Sequence, residues 1–223
     1  MPPPLDLLPD LVGGLVVTIE VTAGAAVVAL VMAFAAGLSR LAAARVVRAA
    51  ATAYVEVFRG TSALVQLFWV YFVLPLLGVS LDPMTAGILV LGLNIGAYGA
   101  EVVRGAILAV PRSQREAAAA LGFTPRQTRW RVVVPQALPV IVPPAGNLLI
   151  ELLKGTALVS LITLGDLTFA AQTLRASTLR TAEIFTLVLV IYFLVAAVLT
   201  AGMRWIERHV SAWRQPDRGA SRA

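Results

Sequence analysis

Three residues inside the apolar stretches of this chain could handle a small polar solute: Asn94, Glu101 and Lys154. Glu101 follows Asn94 by seven positions, two helical turns, so amide and acid can share one helix face. Lys154 follows Glu151 by three, a spacing at which helical side chains can pair. A lysine can meet an anionic group of such a solute, and an acid or ring face a cationic one. Charge in a membrane is costly enough that such groups face a polar cavity or each other. Asn94, Glu101 and Lys154 are therefore the candidate substrate pathway, with Lys154 meeting a carboxylate. The same residues would also serve as a buried structural pair, and Glu101 with Arg104 as an interfacial one. Tyr98, Trp69 and Tyr71 could flank a cation through their ring faces, although aromatics in membrane helices more often pack or form belts. Glu20, a lone acid in the first apolar segment, is expected to face another helix.

Most reaction chemistry is excluded. The only lysine follows Leu153, whereas a phosphate-binding loop needs glycine immediately before its lysine so that the backbone can cradle phosphate. Any ATP must be bound by a partner. The only histidine, His209, lies beyond the last apolar segment, and there is no cysteine. Disulfides, thiolate metal sites and Ser-His or Cys-His catalysis are implausible. No catalytic residue, metal site or cofactor is expected.

The elements that position these residues are membrane spans. The chain has 223 residues, 59% of them hydrophobic and 13% charged, with a mean hydropathy of +0.85. Soluble domains carry about 25% charged residues. Apolar windows of about 20 residues, enough to cross a bilayer as a helix, predict an all-α polytopic membrane protein with about five transmembrane helices, one domain over residues 1–223. The expected spans are Leu11–Leu38, Ala63–Leu77, Met84–Val103, an irregular fourth beginning near Leu138 and containing Pro143 and Pro144, and Ile184–Met203. An amphipathic interfacial helix is expected over Val47–Phe58, and the segment Ile162–Glu183 should lie outside the bilayer or dip into its interface.

A net charge of +6 would suggest nucleic acid in a soluble protein. Here fifteen of eighteen basic residues flank spans, in three sets. They are Arg40, Arg45, Arg48 and Arg59; then Arg104, Arg112, Arg115, Arg126, Arg129 and Arg131; then Arg204, Arg208, Arg214, Arg218 and Arg222. The positive-inside bias puts all three sets in the cytoplasm, with the N-terminus outside, the C-terminus inside and the turn Gly78–Pro83 external. No nucleic-acid partner is expected. Met1–Asp6 lacks the basic n-region of a cleavable signal peptide, so insertion is expected to use the first span.

Between the third and fourth spans lies a polar, arginine-rich loop, about residues 105–137. Ser113–Leu121 reads as a short helix closed by Gly122, since glycine just past a helix end adopts a left-handed conformation freely. Thr124-Pro125 is a normal helix start. Two short helices held at a membrane surface make a docking knob.

The order Glu116-Ala117-Ala118, Gly122, Val132, Val134 and Pro135 resembles the signature of permease subunits of ATP-binding-cassette (ABC) importers, with the two valines in place of its isoleucine and leucine. Further segments are similar to the polar amino acid branch: Tyr54–Thr61, Asn94–Gly105, Val134–Leu138, Pro143–Asn147 and Lys154–Thr156. They are spread across most of residues 54–163, in the right order around that loop. Ser62 and Gly155 depart from the common proline and aspartate. Those departures, with Gly155–Leu164 and Asp166–Phe169, resemble permeases for ectoine and hydroxyectoine.

The resemblance implies a type I ABC importer permease fold in a bacterial inner membrane and transport by alternating access. The implied partners are cytoplasmic ATPase subunits, a second permease subunit (the same chain or a sister) and an external solute-binding protein. It assigns Glu116 the charged contact to the ATPase, Ala117 and Ala118 the close approach, Gly122 the turn, and Pro135 the loop's far end. The rival classes are a secondary transporter, which brings coupling-ion carboxylates and usually more spans, and a small channel, neither of them driven by a partner ATPase.

Overall fold

A computed structural model describes residues 7–211. Met1–Asp6 and the arginines at 214, 218 and 222 lie outside the described residues, which contain helices and turns and no strand. Among the described residues four helices are long and apolar enough to cross a membrane, or five if the bent pair Arg45–Gly60 and Ala63–Leu77 counts as one span.

The first helix, α1 (Leu8–Ser39), and the fourth, α4 (Pro83–Leu108), form the central seam. Their contact faces carry small residues. Ala25, Ala29, Ala33 and Ala36 of α1 are buried, and Gly92, Gly96 and Gly99 of α4 face them. A Cβ on Gly92 would sit 2.6 Å from Val28 Cβ, and one on Gly99 would sit 2.7 Å from Ala33 Cβ. Helices in lipid gain little from hiding leucine, so close backbone approach through small residues drives their packing. The large side chains point the other way; Val27, Leu30 and Val31 of α1 are exposed.

Helix α2 (Arg45–Gly60) is amphipathic, as expected, and then turns. Thr61 and Ser62 are extended, and α3 (Ala63–Phe68) leaves at 104°. The second span keeps the expected limits but not regular geometry. It passes into a π-helical stretch at Trp69–Val73 and a 3-10 turn at Leu74–Leu77, ending at Gly78 with φ +88°. Pro75 lies in the 3-10 turn and cannot donate an amide, so a regular α-helix does not continue through it. Asp82 caps α4 by accepting the Thr85 amide at 3.0 Å, and the hydrogen bonding to Thr85 lowers its pKa.

The polar loop after α4 contains α5 (Arg112–Ala120) and the single turn α6 (Pro125–Gln127), within a residue or two of expectation. The fourth span is irregular, as expected, and the helix that holds it starts well before Leu138. From Pro125 to Ile162 the chain is helical for 38 residues, through a π-helical stretch (Thr128–Val133), α7 (Val134–Gly155) and a 3-10 turn (Thr156–Ile162). Proline inside a membrane helix is tolerated where neighbours re-satisfy the freed carbonyls. Pro139, Pro143 and Pro144 all lie within α7, which packs on α4 and α9.

The segment after it folds into α8 (Leu167–Thr178) and α9 (Thr181–Ser211). Asp166, fully buried, caps α8 through the Thr168 and Phe169 amides. Burial raises its pKa while those amides pull the other way. Helix α8 docks on the start of α1, where the Leu167 amide donates to Thr18 Oγ1 at 3.1 Å. Leu11, Leu167, Ala171 and Ile184 close that end of the bundle.

Candidate functional site

The loop between α4 and α7 is built by local chemistry. Gly122 takes φ +77° and sends the chain back under α5. Thr124 Oγ1 accepts the Gln127 amide while Gln127 Oε1 accepts the Thr124 amide, a complete capping box. Arg115 Nη2 donates to the Ile107 carbonyl at 2.8 Å, and Gln136 Nε2 donates to Gln114 Oε1 at 3.2 Å. These two bonds fix α5 to the end of α4 and the start of α7. Ala118 is buried on the inner face. Glu116, Ala117 and Gly122 are exposed, with Leu121 at 76% exposure between them. Glu116 has no ion pair among the described residues. Pro135 stands exposed at the start of α7 and lines a crevice of about 740 Å³ together with Gln114 and His209. Arg115 is the residue that sequence reading missed. It adjoins Glu116 and borders a second cavity of about 420 Å³ with Phe123 and Val133.

The three intramembrane candidates are not brought together. Asn94 and Glu101 do share a face, and that face meets α2 and its bend. Asn94 Nδ2 donates to the Phe58 carbonyl at 2.9 Å and to Gln66 Oε1 at 3.2 Å. Gln66 Nε2 donates in turn to the Phe58 carbonyl at 3.0 Å and to Thr61 Oγ1 at 2.7 Å. Asn94, 8% exposed, thereby ties the 104° bend to α4. Glu101 is surrounded by cations: Arg40, Arg59 at 3.4 Å and Arg104 at 2.8 Å. The Arg59 guanidinium lies 5.3 Å from the Tyr98 ring centre, which places Tyr98 in this cluster. Tyr71 shares a hydrogen bond with Thr163 at 3.3 Å, and Trp69 is exposed.

Lys154 is elsewhere. It is exposed, and so is Glu151; no ion pair joins them, contrary to the pairing their spacing allowed. Its neighbour Gly155 stands level with Leu91 of α4. Ten residues, about 15 Å along a helix, separate Leu91 from Glu101. Within one chain, Lys154 and Glu101 therefore lie apart along the bundle. Pro143, Asn147, Glu151 and Lys154 are instead all exposed at intervals of four, four and three, one face of α7. Glu20 is exposed as well and has no ion pair among the described residues.

With this geometry in hand, the relatives are informative. The family described as "Binding-protein-dependent transport system inner membrane component" matches residues 25–212. A probable amino-acid ABC transporter permease protein of Sinorhizobium fredii is 49% identical over 94% of this chain and 90% of its own length. The glutamine transport system permease protein of Escherichia coli is 34% identical over 91% of this chain and 94% of its own. A crystal structure of an amino acid ABC transporter with histidines matches with a TM-score of 0.85 and 34% identity, over 92% of this chain and 96% of that one. Inward-facing MetNI, a methionine ABC transporter, matches at 0.78 and 25% identity, over 94% and 99%. The fold is that of ABC importer permeases, and the chain belongs to the family of binding-protein-dependent transport system inner membrane components.

Proposed function

We propose that this chain is the permease subunit of an ATP-driven importer that carries a small zwitterion of the amino acid class into the cytoplasm by alternating access. The observation that carries the proposal is the distribution of exposed polar groups along one helical rod. Beside one end, α5 and the residue after it expose Glu116, Ala117 and Leu121, and Glu116 has no ion pair among the described residues. Along α7, Asn147, Glu151 and Lys154 point away from the bundle at bilayer depth. Polar side chains at that depth face protein or a water-filled cavity, not lipid. A second permease subunit, the same chain or a sister, supplies the facing wall.

In this reading the α5 knob docks on an ATPase subunit, with Glu116 meeting a basic group and Gly122 and Pro135 shaping the loop. Lys154 stays the group for a substrate carboxylate. Glu151, one turn away on the same face, replaces Glu101 as the acid. Glu101 and Asn94 set the position of α2. An external binding protein delivers solute, and the subunits work in a bacterial inner membrane with the C-terminus of this chain in the cytoplasm.

Relatives named for glutamine, L-cystine and arginine support the amino acid class. Within that class the wording of Gly155–Leu164 and Asp166–Phe169 supports ectoine or hydroxyectoine, which are cyclic amino acids. A secondary transporter or channel draws no support from relatives named as ABC permeases. The test is uptake by the full complex, with its binding protein, in proteoliposomes. Labelled ectoine is compared with arginine, glutamine and cystine, with and without internal ATP. Preference for one of the common amino acids would reject ectoine and keep the importer. Uptake that persists without ATP would reject the importer.

A further inference from the structure

The junction between α1 and α2 carries positive charge that the rest of the chain leaves unbalanced. Of the arginines at 40, 45, 48 and 59, the first and last converge on Glu101. Arg45 and Arg48 are exposed, and neither meets a carboxylate among the described residues. They lie one turn apart at the start of α2, the positive pole of the helix, where an acid is the stabilising choice. The first turn of α2 has no acid, and its N-cap, Ala44, has no side-chain oxygen. Arg48 Nη1 donates to the Ala42 carbonyl at 3.2 Å, which holds its guanidinium over the loop. Every residue from 43 to 50 is exposed. Among them are Val46 at 82% and Val47 at 45% exposure, two apolar side chains beside two cations. The patch begins a few residues after the end of a membrane span. It is therefore at the height of the lipid headgroups.

We propose that Arg45 and Arg48 bind the headgroup phosphate of an anionic phospholipid in the cytoplasmic leaflet, with Val46 and Val47 set among its acyl chains. A guanidinium fork matches two phosphate oxygens, and an anion there offsets both the arginines and the helix pole. The valines select lipid over free phosphate, because a soluble anion would leave them in water. Bound lipid fixes the free end of α2, whose other end is fixed by Glu101 and Asn94, and so holds the bend that aims α3. The choice of leaflet rests on the topology given under the proposed function.

The test uses the assembled transporter, this chain with its ATPase and second permease subunits, in mild detergent. It is titrated with fluorescent phosphatidylglycerol and with phosphatidylcholine of the same chains. Phosphatidylglycerol should bind saturably and more tightly. The double variant Arg45→Gln/Arg48→Gln should weaken it about 25-fold, about fivefold for each arginine, and leave phosphatidylcholine unchanged. Arg45→Lys/Arg48→Lys should retain most of the affinity, which separates lost charge from lost fold. Unchanged affinity in the glutamine variant, equal binding of the two lipids, or a lysine variant as weak as the glutamine one would overturn the proposal. Displacement of the lipid by millimolar inorganic phosphate would overturn it too, by making the site one for a soluble anion. Transport is not read in this assay, so failure of the importer reading leaves its result standing.

Discussion

Glu101 is one carboxylate held by three arginines from three elements: Arg40 at the end of α1, Arg59 near the end of α2 and Arg104 of its own helix. Removing an acid from such a cluster leaves cations facing one another, and that repulsion outweighs the lost attraction. Glu101→Gln should lower the stability of the purified permease by about 2 kcal/mol, a value discounted for partial exposure. Thermal unfolding in detergent reads it, and an unshifted transition would reduce the cluster to a surface feature. Glu116 poses the opposite case, an exposed acid with nothing of its own chain to lose. Glu116→Lys should insert and fold normally yet weaken ATPase docking by about 2 kcal/mol, some thirtyfold. Wild-type uptake and ATPase stimulation in that variant would remove Glu116 from the coupling role. The seven-residue spacing of Asn94 and Glu101 was enough to place them on one face. What they meet was not legible, because Arg40 lies 61 positions from Glu101 and Phe58 lies 36 from Asn94. No local pattern encodes a contact at that range.

The elements divide along the same line. The docking loop was legible to within a residue or two because its rules are local: a glycine past a helix end, and a threonine and proline opening the next. The fourth span was legible as irregular, but the length of the helix that holds it was not, for a physical reason. Pro139, Pro143 and Pro144 signal a break in water, whereas a bundle supplies other partners for the carbonyls they release. The bend between α2 and α3 gave only a weak sign, Gly60-Thr61-Ser62, since Gln66 and Asn94 stabilise it from outside. The seam between α1 and α4 makes the sharpest demand at this scale. Gly92→Ala places a methyl 2.6 Å from Val28 Cβ and 3.0 Å from the Ala25 carbonyl oxygen, so backbone must move. A loss of about 2 kcal/mol is expected by thermal unfolding. Gly60→Ala, where nothing lies within 4 Å, should change little. Equal behaviour of the two variants would mean the seam is looser than its geometry states.

For the whole molecule, orientation is the property on which docking depends. Single cysteines at Ser39, Ser113 and Ser211 should be protected from an impermeant thiol reagent in intact cells, and one at Ser80 should react. Labelling of Ser113 from outside would place α5 on the wrong side for any cytoplasmic ATPase. With that orientation, the unbroken helix from Pro125 to Ile162 acquires a mechanical meaning. Its 38 residues at about 1.5 Å each make a strut about 57 Å long, rooted beside the polar loop. A continuous helix of that length can work as a lever. If its inner end is the pivot, a tilt of about 5° carries the far end through about 5 Å, the width of a small solute. Work done on the knob would then arrive at the other side of the membrane as displacement, at the speed of rigid rotation, with no relay of side-chain rearrangements between.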